Sequence, residues 1–384
     1  MNQDKLLGKA HDPYDLWATD FGVFAKSQYL NGGTTGKILV YLVGVLDWVF
    51  PVLSRRLFGC KKRAYPIVVA HNILIEAGGS EVDHNKLLKL LDLLTETRCI
   101  QQGGGAWGLG FRWVDKRCTY EENIPFVTHT PYVMEALVCL LDLDGFTDER
   151  VEEYFLGTLP FLESLAILYE DEECMAVSYS PKDEKGVVIN ANAYAAFAYA
   201  LHYSRSGESE LLHKLTKLVA WVVCKQQEDG SWLYMDDKNG TFIDTFHSCF
   251  VVKNLIKLRE LVPNLPDLDD SIERGWDYIN RNLYEQETGL CKRFALNNRK
   301  FSDPYVYDLY DQAEYLGLLV DFGFISEAFN FRQHITEKFC KSETWFVRRD
   351  FLGRLWGREF QRWGIVPLKY HSFRLDQRVL EETV

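Results

Sequence analysis

The sequence predicts an all-α fold, an (α/α)6 toroid in which six helical hairpins close into a ring. Three observations lead there. Apolar residues recur with helical periodicity along most of the 384 residues. The helices so marked alternate between wholly apolar, small-residue stretches and amphipathic ones that carry charge along one face. The apolar stretches also recur at a loose interval, starting near residues 67, 129, 190, 243, 307 and 362, which are 62, 61, 53, 64 and 55 residues apart.

Taken in order, residues 67–77 form the first inner helix and 85–97 its amphipathic outer partner. Residues 131–143 and 149–165 make the second pair. In the third, ANAYAAFAYALHY (191–203) reads as buried on nearly all sides, and ESELLHKLTKLVAWVV (208–223) keeps its charges on one face. Residues 243–261 with 271–282, and 309–322 with 326–340, continue the pattern, and 363–374 is a sixth inner helix. The apolar run 38–53 is 16 residues long and interrupted by Asp47 and Pro51, too short for a membrane span. It is expected to supply the last outer position. A second reading makes it an amphipathic segment lying on a surface, helped by the basic cluster Arg55, Arg56, Lys61, Lys62 and Arg63. Closure is favoured over an open solenoid because an open stack needs polar caps, and the terminal helices are as apolar as the middle ones. No Pro/Ser-rich linker divides the chain. It reads as one toroid domain over 1–376, with 1–64 as an N-terminal extension or the closing outer helix and 377–384 as a loose tail.

Composition narrows the function classes. With 43 Lys and Arg against 55 Asp and Glu the net charge is −12, so the chain has no global basic field for nucleic acid. Ten Trp, 20 Tyr and 24 Phe can line a sugar-stacking cleft or fill a core. The nine cysteines are odd in number and contain no CxxC pair, and the start lacks a basic, apolar secretory signal, so a reducing, cytoplasmic setting is expected. GTTGK at 33–37 lacks the earlier Gly and the Ser/Thr of a phosphate loop, the glycine run 103–110 follows no strand, and no HExxH or paired Cys/His spacing occurs. No cofactor and no tightly bound metal are expected.

Long loops rich in Gly, Trp and Tyr follow the outer helices: 101–113, 174–188, 226–242 and 289–308. Loops of this length in a compact helical domain carry function. In a toroid each leads into the start of the next inner helix, so all converge on one end of the ring.

Within and after these loops stand AWGLGFRW, THTPYVMEAL, SYSPKDEKGVVINANAYAAFA, KQQEDGSWLYMDD with FIDTFHSCFVVKNL, VYDLYDQAEYLGLL and QRWG. Together, over about 65–370, they resemble the toroid proteins of exopolysaccharide, capsule and O-antigen gene clusters, within the six-hairpin glycosidase and uronate epimerase-like superfamily. The resemblance implies a glycan-biosynthesis setting more firmly than a reaction. QQEDGSW (226–232) also resembles the QW repeat of terpene cyclases and the matching turn of six-hairpin glycosidases. There Gly230 permits the turn and Trp232 packs it down. DLDD at 267–270 matches the acid motif of class II terpene cyclases, but its place before an outer helix makes Asp269 or Asp270 an N-cap.

Polar residues stand at the starts of the inner helices: His129 and Thr130, Asn190 and Asn192, Asp244 and His247, Asp308 and Asp311, Arg362 with Trp363. N-capping accounts for Asn190, Asp244 or Asp308 taken singly. Recurrence at one end of several hairpins points instead to a shared site. Asp244 and His247, three apart on one helix face, suit a carboxylate that orients an imidazole as general base, or a structural hydrogen bond. Asp308 is the second catalytic carboxylate candidate and Arg362 a clamp for an acidic sugar or phosphate. Trp107, Trp113, Trp232 and Trp363 offer stacking faces, Tyr179 and Tyr194 phenolic acids, and His129, Asn190 and Asn192 polar contacts to substrate. The expected function is acid/base chemistry, as epimerisation, lysis or hydrolysis, on an acidic glycan or lipid-linked saccharide. Its partner is a glycan or sugar-containing small molecule, and a peripheral membrane or biosynthetic-complex contact stays open. The alternatives are a non-catalytic glycan-binding scaffold and an isoprenoid cyclase-like toroid.

Overall fold

The computed structural model describes residues 9–100, 105–115, 118–182, 186–236, 242–263, 265, 268–295, 304–358 and 360–383. Parts of every predicted rim loop, and Asp267 of the DLDD motif, lie outside them.

Six inner helices form the ring: α4 (Pro66–Ala77), α6 (Thr130–Leu141), α9 (Ile189–Ser206), α11 (Thr245–Leu261), α13 (Leu309–Asp321) and α15 (Val366–Thr383). Each packs on the next, and α15 returns to α4, where Tyr370 stacks on His71 at 4.6 Å. Outer partners are α5 (His84–Glu96), α7 (Glu149–Leu156) with α8 (Thr158–Glu163), α10 (Ser209–Cys224), α12 (Asp269–Tyr278) and α14 (Ile325–Phe339). Helix α9 can be an inner helix because its alanines 191, 193, 195, 196, 198 and 200 let neighbouring backbones approach while Tyr194, Phe197 and Tyr199 fill the layers between. In α10 the Leu211, Leu215, Leu218 and Val222 stripe is buried together with Lys217, Val219 and Trp221, each apolar side chain contributing about 2 kcal/mol.

Connections at the two ends differ in kind. Inner-to-outer turns are short, whereas outer-to-inner loops carry antiparallel ladders such as 113–114 with 119–120 and 187–188 with 235–236. The largest is a sheet not expected from the helical pattern. It comprises β1 (Tyr305–Asp308), β2 (Cys340–Lys341), β3 (Thr344–Asp350) and β4 (Leu355–Arg358), with β3 paired to the other three. It lies at the mouth, the end where the inner helices begin.

The N-terminal region departs from the closing-helix expectation. Helices α1 (Asp20–Leu30), α2 (Thr34–Val49) and α3 (Pro51–Leu57) pack on one another, and α2 meets the mouth sheet rather than sitting outside α15. Trp48 donates through Nε1 to Asp350 at 3.0 Å, and Trp356 donates to the Asp47 carbonyl at 2.9 Å. The loose tail expected at 377–384 is also corrected, since α15 continues to Thr383. Asp269 and Asp270 lie in the first turn of α12, with Leu268 at the cap and Asp269 paired to Arg259. None of the nine cysteines forms a disulfide.

Two glycines fix the turns that shape the mouth. Gly230 has φ +90°, and a Cβ there would lie 2.3 Å from the Arg274 carbonyl oxygen, while Trp232 donates to the Val222 carbonyl at 2.9 Å. The QW-like segment is therefore a structural latch. Gly364, at φ +105° in the QRWG turn before α15, abuts the start of α13, and a Cβ would lie 2.7 Å from backbone atoms of Leu309 and Tyr310. Gly364→Ala is expected to cost about 3 kcal/mol, from left-handed strain plus the clash, read from urea unfolding.

Candidate active site

Asp244 caps α11 in an extended conformation, and its carboxylate accepts the backbone N–H of His247 at 3.1 Å. The same carboxylate lies 2.8 Å from His247 Nδ1 through both oxygens. A carboxylate only accepts, so Nδ1 carries a proton, and in the neutral ring the lone pair sits on Nε2. Asp244 is buried, while the His247 side chain is 20% exposed, framed by the rings of Tyr234 and Phe250.

Asp311, one turn into α13, accepts the Phe246 N–H at 3.1 Å through Oδ1. Its Oδ2 has no partner, and the residue is 1% exposed. Burial, followed by the charges of Asp308 and Asp244, holds this carboxyl well above the usual range, with Arg293 offsetting only part. Burial and these two charges thus favour the protonated form of Asp311.

Asp308 is spoken for. Oδ1 accepts Trp363 Nε1 at 2.6 Å, and Oδ2 accepts Arg348 Nε at 3.2 Å with Arg293 Nε 3.4 Å away. Burial still raises its carboxyl against the pull of both arginines. Phe246, 5.8 Å from Trp363, links the starts of α11 and α15.

The predicted clamp is corrected. Arg362 is buried in a bidentate pair with Asp12, Nε to Oδ2 at 2.6 Å and Nη2 to Oδ1 at 2.9 Å. Beside it Tyr14 stands edge-on to both Trp113 and Trp363, at 5.2 and 5.0 Å. A carboxylate and a ring from the N-terminal segment so occupy the places expected for an acidic sugar. His129 is buried near Arg362. Its Nδ1 meets Thr128 Oγ1 at 3.1 Å, its Nε2 has no partner, and burial first, then the Arg362 charge, push it down to about 3. Thr128 also donates to Tyr179 at 3.1 Å.

Other candidates are built into the fold. Asn192 accepts from Val177 N at 2.7 Å and donates to the Val188 carbonyl at 2.9 Å, fastening a loop to α9. Asn190 sits in the first turn of α9, not at its cap, with Oδ1 unpartnered. Trp107 and Trp232 are core residues with no face open to a ligand, and Trp107 Nε1 donates to the Leu94 carbonyl at 2.9 Å. Thr130 exchanges hydrogen bonds with the Trp107 backbone. Tyr194 is buried 2.6 Å from the Tyr132 hydroxyl, and burial holds its phenol well above the usual range, so it is no ready acid.

Sequence reasoning missed Arg348, which strand β3 delivers to Asp308; the signal was the run TWFVRRD–FLGR with its glycine turn. It also missed Lys253 and Glu314, deep in α11 and α13, paired at 2.7 Å with Lys253 also donating to Tyr132 at 3.0 Å. Burial pulls Lys253 down, yet Glu314, Tyr194 and Tyr310 outweigh it and leave the ammonium raised. Lys253→Met is expected to cost about 3–5 kcal/mol by stranding Glu314, and Lys253→Met with Glu314→Leu to recover most of it in urea unfolding. Among the described residues, no three of His, Cys, Asp and Glu are arranged to hold a metal ion, and no helix is long and apolar enough to cross a membrane.

No family model matches the chain, and no curated protein is similar to it by sequence. Solved structures do share its shape. A sugar epimerase from a ruminal bacterium aligns at 13% identity and TM-score 0.57, covering 83% of this chain and 88% of its own. The cellobiose 2-epimerase of Spirochaeta thermophila aligns at 12% and 0.56, covering 82% and 87%. A GH76 α-mannanase of Bacteroides thetaiotaomicron aligns at 11% and 0.58, covering 82% and 86%. These neighbours are toroid enzymes, and at such identities the likeness establishes the fold alone: the chain is an (α/α)6 toroid.

Proposed function

We propose that this toroid is a cytoplasmic sugar-modifying enzyme of polysaccharide biosynthesis that moves protons at a carbon beside a carbonyl or carboxyl group. The observation that carries the reading is the meeting, at one mouth, of an Asp–His dyad with the buried Asp311 carboxyl, whose Oδ2 has no partner and whose protonated form burial favours. Shape likeness to sugar epimerases supports a sugar substrate, and nine cysteines without a disulfide support a reducing compartment.

In this reading Asp244 fixes the Nδ1–H tautomer of His247, and Nε2 takes the proton from the sugar carbon. The electron pair left behind moves onto the neighbouring carbonyl oxygen. Asp311 returns a proton from Oδ2, giving an epimer, or, where a leaving oxygen departs, protonates that oxygen. Asp308, already held by Arg348, Arg293 and Trp363, sets the electrostatics around Asp311 rather than transferring protons. Arg362 anchors the N-terminal segment, whose Tyr14 covers Trp113 and Trp363, so Tyr179, His129 and Asn190 are the substrate-contact residues of the proposal.

The test is exchange. Incubated in D2O with uronic acids, reducing disaccharides or lipid-linked saccharides, the protein is expected to place deuterium at one sugar carbon, seen as loss of one proton resonance. Release of reducing ends without deuterium on carbon would replace this reading with hydrolysis, Asp311 protonating the glycosidic oxygen and the dyad activating water. Neither change with any of these would favour a scaffold.

A further inference from the structure

The N-terminal helices are patterned inside out. Helix α2 buries Gly36, Val43 and Asp47 against the protein, and it turns Ile38, Tyr41, Leu42, Val45 and Val49 outward, at helical spacing on one face. Tyr41 is 67% exposed, Leu42 57% and Ile38 55%. Phe50, Val52, Leu53 and Leu57 extend this apolar surface along α3, and Phe21 and Phe24 extend it onto α1. A soluble helix places its apolar stripe inward. Here the inward face holds the charge, since Asp47 accepts from Arg55 at 2.6 Å and from Ser54 at 3.1 Å.

Charge identifies the occupant. The whole chain carries −12, yet residues 9–63 hold eight Lys and Arg against four Asp and no Glu. Three of those aspartates are consumed inside: Asp12 by Arg362, and Asp15 and Asp47 by Arg55. Lys37, Arg56, Lys61 and Lys62, which neighbour the apolar residues in sequence, stay exposed. Exposed apolar side chains interspersed in sequence with exposed cations, on a protein otherwise anionic, complement an anionic bilayer surface. With 16 residues α2 is about 24 Å long, short of a span of about 30 Å, so it would lie in the interface.

We propose that α1–α3 form a monotopic docking face for anionic membranes. The Arg362–Asp12 and Arg55–Asp47 pairs, with Tyr14 between Trp113 and Trp363, fasten this face rigidly beside the mouth. Resting on the functional reading above, that placement selects saccharides carried on a lipid, presented at the bilayer surface.

The experiment is flotation of the full chain with vesicles of phosphatidylcholine alone or with about a third phosphatidylglycerol. The expected result is co-flotation with the anionic vesicles at least tenfold above the neutral ones. Leu42→Glu with Val45→Glu should abolish it, and Lys61→Glu with Lys62→Glu should remove the preference for anionic lipid. These side chains are exposed, so circular dichroism should be unchanged. Asp244→Asn must float like the wild type, which separates this result from the fate of the catalytic reading. The proposal is overturned if the wild type stays at the bottom with both vesicles or floats equally with both. It is also overturned if Leu42→Glu with Val45→Glu converts a dimer to a monomer that had bound no vesicle, which would assign the face to a second copy.

Discussion

Asp311→Asn is expected to reduce turnover by about a thousandfold and, at pH 7, to leave the fold as stable as the wild type or more so. The carboxamide keeps an oxygen for the Phe246 N–H but has no acidic proton to give. The stability side follows from linkage. A carboxyl whose folded pKa is raised contributes stability at acid pH that is lost as pH rises from the ordinary carboxylate range through the folded value. The wild type therefore sheds stability with rising pH where the variant does not, and the gap in urea midpoint should widen toward alkaline pH. Asp244→Asn should lose about as much activity for another reason. Asn is as good an N-cap, so α11 keeps its start, but an amide can donate to the ring and no longer enforces the Nδ1–H tautomer. Turnover within tenfold of wild type in either variant would remove that residue from the mechanism.

Acidification should unfold the protein well before its carboxylates titrate. Four buried histidines are held neutral: His71 and His371, both well below the usual imidazole range, His129, pushed down to about 3, and His202, pushed down to about 4. Burial is the largest cause in each. The unfolded chain takes up these protons below about pH 6.5 and the folded chain does not, so stability is intact above that pH and falls as pH drops toward 4. Four protons correspond to about 5 kcal/mol per pH unit. Asp311 opposes this by up to one proton, and Asp308 and Asp47, also raised by burial, oppose it further. The net slope remains a loss on acidification. Replacing His371 by Asn should flatten the urea-midpoint profile between pH 6.5 and 4 by one proton's worth, and an unchanged profile would show that His371 protonates in the folded state.

Periodicity alone decided the ring. Six apolar helices alternating with amphipathic ones have few ways to bury their stripes, and closure of α15 on α4 through Tyr370 and His71 is the packing that alternation demands. The Asp244–His247 pair was legible for the same local reason, since residues three apart at a helix start must meet. What lies between elements was not. Asp311 reads in sequence as one more polar residue on an apolar helix, and only burial beside Asp308 and Asp244 raises its carboxyl. Arg348 reaches Asp308 from 40 residues away on a strand whose pairing is non-local. Arg362 looked like a ligand clamp until the fold brought Asp12, 350 residues distant, onto it. Helix α2 shows most plainly where sequence stops: its amphipathicity was visible, but which face turns inward was fixed by the Arg55 ion pairs and the Trp48 and Trp356 hydrogen bonds. Local patterns determine which elements form, whereas burial, charge neutralisation and facing depend on partners that only the closed ring supplies.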